Sequence, residues 1–380
     1  MNKNNRFVRG LLAAWSGVAF FGTSAAFAQP KEILIGHVCS YTGPVAKDAI
    51  EMGQGAQVLI DSVNDKGGVL GRKLRMVVAD DGFKPDATVQ LIGEMKGKVV
   101  ALLPITGSAN SAALVKANVL ETPLIGTIPS TEVVRTWANP NLFHIRASDR
   151  QQTERILEQL VTVGITSIAV LVPNNPFGEQ STKLVETYLA SRNQKLAVNA
   201  VYLLAGPKAD LEPGLKALQG KNYQALVMFG PPKFIAEAVK ELRSRGESAQ
   251  LYALSYADSQ LVVKTAGLQL AHGVIISQVM PNLNAKAMPI VREFRENFAK
   301  YSKEKMEPTY FQIEGYLAAR LIVEAIRRTK DASPEGVRRG LEQMKSYDLG
   351  GYEINYSPTD HQGSKFVDLS VITGKGALVY

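Results

Sequence analysis

An α/β chain folded into two doubly wound, Rossmann-like lobes is what this sequence predicts, and three observations carry the prediction. Short apolar runs rich in Val, Ile and Leu alternate with amphipathic stretches along most of the length. The runs lack the polar alternation of half-exposed strands, as strands covered on both faces of a parallel sheet must. The alternation comes in two successive series, and 380 residues suit two domains of about 100–200 residues better than a single core.

Composition narrows the function classes. With 46% hydrophobic and 21% charged residues, 32 Gly and 18 Pro, the chain is ordinary globular material, which excludes disordered and fibrous classes. Lys and Arg total 43 against 35 Asp and Glu, a net charge of +8. Its basic clusters (Arg72-Lys73, Arg327-Arg328 and Arg338-Arg339) are short, and Glu or Asp lies near the latter two. The concentrated basic stripe of a nucleic-acid groove is missing. Cys39, the single cysteine, rules out an internal disulfide and any multi-cysteine metal site. At the end of an apolar run it reads as a small buried hydrophobe. His37, His144, His272 and His361 show no His-x-x-x-His spacing, so neither a metal nor a cofactor is expected.

Before the first strand comes an address segment. Lys3, Arg6 and Arg9 precede the apolar run Leu11 to Phe21, and Ala26-Phe27-Ala28 follows, the charged, apolar and small-residue parts of a secretory signal. That run of eleven residues falls short of the roughly 20 a membrane-spanning helix needs. We expect residues 1–28 to be removed after Ala28, leaving an exported, periplasmic chain. Losing three cations takes its net charge from +8 to +5.

The elements follow in order. Lys31 to Val38, Leu74 to Ala79, Val99 to Leu103 and Pro123 to Ile128 read as buried strands. Between them Ala49 to Val63, Pro85 to Lys96 and Ser108 to Leu120 show helical spacing, the second with Pro85 and Asp86 in its first turn. Asn64-Asp65-Lys66-Gly67-Gly68 is a helix stop and turn. The second series runs through helix Arg150 to Val163, strand Ser167 to Val172, helix Pro176 to Arg192, strands Ala197 to Leu203 and Ala225 to Phe229, helix Lys233 to Arg245 and strand Gln250 to Ala253. Helices Pro289 to Lys300 and Phe311 to Thr329 precede a hairpin-like tail, Tyr352 to Tyr356 and Phe366 to Ile372. Two such βαβ series imply two lobes. No low-complexity linker separates them, so several short crossings are expected rather than one flexible tether.

Catalytic signatures are missing: no G-x-S-x-G elbow, no H-E-x-x-H, no phosphate-binding G-x-x-x-x-G-K-[ST]. Gly53-Gln54-Gly55 starts like a dinucleotide fingerprint but sits inside a helical pattern and lacks the third glycine. Small residues where a helix packs closely on a sheet account for it better. Asp80 and Asp81 point to opposite faces of a strand and so do not share a substrate. An enzyme is not expected.

Ligands of open α/β sheets bind outside the carboxyl ends of the strands, and those loops here are short, small and polar. They are Ser40-Tyr41-Thr42-Gly43-Pro44, Thr106-Gly107-Ser108, Thr127 to Thr131, Asn174 to Gly178, Phe229 to Pro232 and Ser255 to Asp258. The second opens a helix, whose free N–H groups and positive dipole end suit a carboxylate. Ser108 reads equally as a donor to such a group or as a plain N-cap. Phe177 is either a cleft ring or ordinary packing. Together the loops describe a cleft for a small, partly apolar anion.

The same residues carry a resemblance. Ser40 to Ala46 with its S/T-G-P loop, the block Val63 to Lys73 (N-x-x-G-G-x-x-G-R), Asp80-Asp81, Phe143 to Ser148 and Phe177-Gly178 resemble the leucine/isoleucine/valine-binding protein family, type I periplasmic solute-binding proteins of ATP-driven (ABC) importers. The likeness spans essentially the whole chain after the leader. It implies two lobes joined by a three-segment hinge and closing on a ligand. On that pattern the N-terminal lobe is 30–147 plus 281–365 and the C-terminal lobe 148–280 plus 366–380. It implies a monomer that carries a small-molecule ligand to a membrane permease, with no nucleic-acid partner.

By the same resemblance, the carboxylate-binding serine falls on Ser108, its hydroxyl and backbone partners on Thr131 and Pro129, and the aromatic contact on Phe177, with Thr42 and Phe229 in flanking cleft loops. The ammonium site departs from the pattern. Ser255 stands where amino-acid binders place a carboxylate, Pro231 replaces a tyrosine, Asp48 replaces a first-lobe tyrosine, and the usual first-lobe disulfide is absent. A buried ammonium without its counter-ion costs several kcal/mol. Either Asp48 or Asp258 takes over, or the ligand has no α-amino group. The expected ligand is thus a branched-chain or related amino acid, with an aromatic acid, short-chain acid or amide as the alternative, for transport or for a chemosensory receptor.

Overall fold

The structure, a computed structural model, describes residues 32–205, 208–303 and 307–380; the expected leader, residues 1–28, lies outside them. The first series comprises β1 (Ile33–Cys39), α1 (Ala46–Asp65), β2 (Leu74–Asp80), α2 (Pro85–Met95), β3 (Ala101–Leu102), β4 (Ile105–Thr106), α3 (Ser108–Ala117), β5 (Leu124–Ile125), β6 (Thr127–Ile128), α4 (Glu132–Arg135) and β7 (Leu142–Phe143). Its sheet has the order β2-β1-β3-β5-β7 and is parallel throughout. Where one strand is expected from Pro123 to Ile128, two short ones occur. Gly126 takes a φ of +108° between them, a backbone state no strand residue shares. The outer halves, β4 and β6, pair with each other.

The second series is α5 (Asp149–Thr162), β8 (Ile168–Pro173), α6 (Pro176–Ala190), β9 (Val198–Ala205), β10 (Lys208–Asp210), α7 (Glu212–Leu218), β11 (Ala225–Met228), α8 (Pro232–Ser244), β12 (Gln250–Ala253), α9 (Ser259–Ala266), α10 (Leu268–Ala271) and β13 (Ile275–Gln278). The chain then returns to the first lobe with α11 (Pro289–Tyr301), α12 (Tyr310–Thr329), α13 (Pro334–Glu342), β14 (Tyr347–Asp348), β15 (Glu353–Ser357) and β16 (Asp360–Gly363). It crosses back with β17 (Asp368–Ile372) and β18 (Leu378–Val379). The second sheet runs β10-β9-β8-β11-β12-β13-β17-β18, with a parallel centre and antiparallel edges. Every residue of β8 is buried. Ala169 and Leu171 enter one core, Ile168, Val170 and Val172 the other, the two-sided burial that the unbroken apolar run predicts.

The tail corrects the sequence expectation. Its two segments do not pair as a hairpin: β15 pairs β14 and β16, whereas β17 pairs β13 and β18. Alternating polarity shows that a strand is half-buried but not which core it serves. Ile354 and Tyr356 join the first-lobe core, Ile372 the second.

The Gly53-Gln54-Gly55 stretch is also only half as expected. A Cβ on Gly53 would meet the Tyr41 hydroxyl and the His37 ring of β1, so this glycine does face the sheet. Gly55 instead faces a helix: its Cβ would lie 1.8 Å from the Gln312 carbonyl oxygen, and one on Gly315 would lie 2.0 Å from that of Met52. Paired glycines bring α1 and α12 into backbone contact.

Candidate functional site

A cavity of about 490 Å³ opens at the carboxyl ends of the strands, with walls from both sheets. The first lobe supplies Pro44, Val45 and Asp48 after β1, Phe83 after β2, Thr106 to Ser108 after β4, and Ile128-Pro129 after β6. The second supplies Pro173, Asn175 and Phe177 after β8, Gly230 to Phe234 after β11, Tyr256 after β12, and Leu204 and Ala209 from the β9–β10 hairpin. Its size lies in the range of small-molecule pockets, roughly 300–1,000 Å³.

At one wall α3 presents its amino end. The N-cap is Gly107 at φ +100°, and no side chain caps the helix. Ser108 is thus the first helical residue and not the N-cap that one of its two readings expects. A Cβ on residue 107 would lie 2.9 Å from Phe83 Cε2, so only glycine fits where the backbone approaches the cavity. Amide donors and a positive helix end there are the chemistry that suits an anion.

Asp48, in the first turn of α1, lines the cavity with 6% exposure. Burial pushes its carboxyl up to about 8, Glu51 and Asp258 push the same way, and Lys47 and Arg146 pull down. At neutral pH the group holds its proton. A cation arriving beside it would remove that proton.

Of the expected site residues, Ser108, Pro129, Asp48, Phe177 and Pro231 line the cavity; Thr42, Thr131, Phe229, Ser255 and Asp258 do not. Thr42 turns to Asp80, its Oγ1 donating to Oδ2 at 2.8 Å. Thr131 is the N-cap of α4, its carbonyl accepting from Val134 and Arg135. Phe229 is fully buried behind Phe177, edge-on at 6.3 Å between ring centres. Ser255 is buried: its N–H donates to Gln152 Oε1 at 2.9 Å and its hydroxyl accepts from Arg146 Nη2 at 3.3 Å. Arg146 is in turn 3.1 Å from Glu314, both side chains being at most 3% exposed. Asp258 caps α9 through the Gln260 and Leu261 amides and pairs with Lys47 of α1. That pair reaches from one lobe to the other.

Sequence reasoning missed Phe83, Phe234 and Tyr256. Tyr256 stands in a loop already singled out, and its ring lies edge-on to Phe177 at 6.2 Å. Phe83 follows Asp80-Asp81, whose side chains diverge as expected. Asp80 is exposed, while Asp81 is buried and accepts from Ser40, Thr88 and Asn110. The signal for Phe83 was its position just past the end of a strand.

Known proteins share the fold of this chain. A family model described as periplasmic binding protein matches residues 32–377. Among solved structures, a substrate-binding periplasmic protein from Ralstonia solanacearum is 30% identical, with a TM-score of 0.84 over 92% of this chain and 99% of that one. The Leu/Ile/Val-binding protein BraC3 of Rhizobium johnstonii is 32% identical over 28% of this chain and 32% of its own length. Leu/Ile/Val-binding protein homolog 7 of Brucella abortus is 22% identical over 82% of this chain and 81% of its own.

Proposed function

The chain belongs to the periplasmic binding protein family, and from that premise we propose that it is the solute-binding component of an ABC-type importer, capturing a small carboxylate with an apolar body. The observation that carries this reading is the cavity itself. An uncapped helix end at Gly107-Ser108 stands on one lobe, and Phe177, Phe234 and Tyr256 stand on the other. The ligand's carboxylate sits at the helix end, with the Ser108 hydroxyl as a further donor, and its body lies against the rings. Crossings near residues 147, 280 and 365 act as the hinge, and ligand favours the closed state because only that state surrounds it. The solute is released unchanged to a permease, and the leader ending at Ala28 delivers the chain to the periplasm.

For the ligand's other end, an α-ammonium is the favoured reading. Asp258 is engaged by Lys47 and Glu237, which also lines the cavity, by Lys233 at 3.8 Å, which leaves the buried Asp48 as the cavity carboxyl for an ammonium. A non-amino carboxylate is the second reading, favoured by Ser255, whose hydroxyl accepts from Arg146, standing where the resemblance to amino-acid binders implies a carboxylate.

Four compounds separate these: leucine, 4-methylpentanoate, phenylalanine and 3-phenylpropionate, matched pairwise with and without the amino group. A bound compound raises the melting temperature according to RT ln(1 + [L]/Kd) and reappears intact by NMR. Ser108→Ala weakens every binder about tenfold, the worth of one hydrogen bond to a charged group, and leaves the apo melting temperature in place. Unchanged affinity, or chemical conversion of the ligand, would remove the reading.

A further inference from the structure

Phe83 stands in the cavity wall in a backbone state that suits glycine or asparagine better. It follows Gly82 in a four-residue turn closed by the Lys84 N–H to the Asp81 carbonyl at 3.0 Å. Both central residues have positive φ, +59° and +60°. Gly, Asn and Asp dominate such positions, and for a bulky side chain positive φ is a true outlier. Such a state persists where the surroundings over-determine it. Here they do: Asp81, buried and held by Ser40, Thr88 and Asn110, accepts the Phe83 N–H at 2.9 Å. Packing does not explain the ring. The core beneath β2 takes in Val77 and Ala79 but not Phe83. Instead the ring borders Gly107, beside the helix end, and lines the cavity.

We infer that Phe83 is a specificity-determining residue: its ring, set by the strained turn next to the anion-binding helix end, meets the ligand's body opposite Phe177 and favours carboxylates that carry a ring over branched aliphatic ones. The inference rests on the carboxylate reading of the Ser108 end. Aromatic rings meet with preferred offset or edge-on geometries that aliphatic groups lack. The two lobes bring such rings to one cavity from opposite sides.

The test is calorimetric affinity of the wild type, Phe83→Gly and Phe83→Ala for phenylalanine, 3-phenylpropionate, leucine and 4-methylpentanoate. In the wild type phenylalanine binds more tightly than leucine, and 3-phenylpropionate more tightly than 4-methylpentanoate, by about threefold or more. Both variants lose roughly three- to tenfold for ring-bearing ligands, the worth of one aromatic contact, and much less for the branched ones. Both remove the ring, but only glycine relieves the backbone. Apo Phe83→Gly therefore melts about 1 °C above apo Phe83→Ala. Equal wild-type affinity for ring and branched ligands, or a preference that survives both variants, overturns the inference; so does a glycine variant no more stable than the alanine one. Tight binding of leucine without ring preference would overturn it while leaving the carboxylate reading standing. Binding of none of the four overturns both.

Discussion

Binding of an amino-acid ligand should expel a proton, and the number expelled tests Asp48. Burial lifts this carboxyl from its usual 3.8 to about 8, so about nine in ten molecules carry the proton at pH 7. Pairing with a ligand ammonium needs the carboxylate, so close to one proton leaves per ligand bound at pH 7 and very few at pH 9. Affinity accordingly rises with pH, by up to about tenfold per unit below pH 8, and levels off above it. The same shift weighs on the empty protein with the opposite sign. A native carboxyl titrating above its unfolded value contributes stability that is whole below about pH 4 and is lost as pH rises toward 8, at no more than about 1.4 kcal/mol per unit. Lys47, Glu51 and Asp258 beside it and Arg146 behind it share the field, so the realised slope lies under that limit. The assay is calorimetry with leucine or phenylalanine at pH 7 in buffers of different ionisation enthalpy, where the slope of apparent heat against that enthalpy counts protons. Asp48→Asn abolishes the release, weakens amino-acid binding at least tenfold, and flattens the apo stability curve between pH 5 and pH 8. A tightly bound amino acid that releases no proton, with Asp48→Asn binding as the wild type does, would refute the assignment.

Gly55→Ala drives a methyl group into the Gln312 carbonyl oxygen, 1.8 Å from where the Cβ must stand. With backbone on the other side α1 and α12 have to part, at a cost of about 1–3 kcal/mol or more, seen as a lower denaturation midpoint at unchanged m; wild-type stability would show that the helix pair is not this close. Lys47→Ala removes the ion pair to Asp258 and the i,i+4 pair to Glu51 within α1. The lysine is half exposed, so the loss stays under about 1 kcal/mol. Asp258→Ala also uncaps α9, adding about 0.5–2 kcal/mol, and chemical denaturation giving equal losses for the two variants would contradict the capping role.

What was legible in the sequence was what local pattern determines. The unbroken apolar runs of β1 and β8 announced two-sided burial because each residue of such a strand must be apolar whichever way it points. The carboxyl-end loops followed from topology, and Ser108, Asp48 and Phe177 did reach the cavity. The residues that missed it were drawn away by distant partners. Thr42 went to Asp80, 38 positions on, and Asp258 to Lys47, 211 positions back. Neither choice leaves a mark within a few residues of the side chain concerned. Phe83 was hidden for another reason: local propensity argues against a large residue at positive φ, and only the buried Asp81 network, assembled from β1, α2 and α3, makes that turn hold.

The charges around the cavity explain how the seam could serve an ammonium without the carboxylate that amino-acid binders place after the strand corresponding to β12. A carboxylate at Ser255 would lie against Arg146, 3.3 Å from the present hydroxyl, and would be spent on that guanidinium. Arg146 instead has Glu314 as its counter-ion, which offsets part of the charge that Asp48 feels from it. Nearer the mouth, Lys47 stands between Glu51 and Asp258, one cation for two carboxylates. Glu51 is also held by a hydrogen bond from Thr309. One negative charge is therefore in excess before Asp48 ionises, which adds to burial in keeping the Asp48 proton on. A zwitterionic ligand with its carboxylate at the α3 helix end would bring a positive group into this field. It would compensate the excess and permit Asp48 to ionise, so the repulsion that neutralises Asp48 in the empty cleft becomes attraction in the filled one.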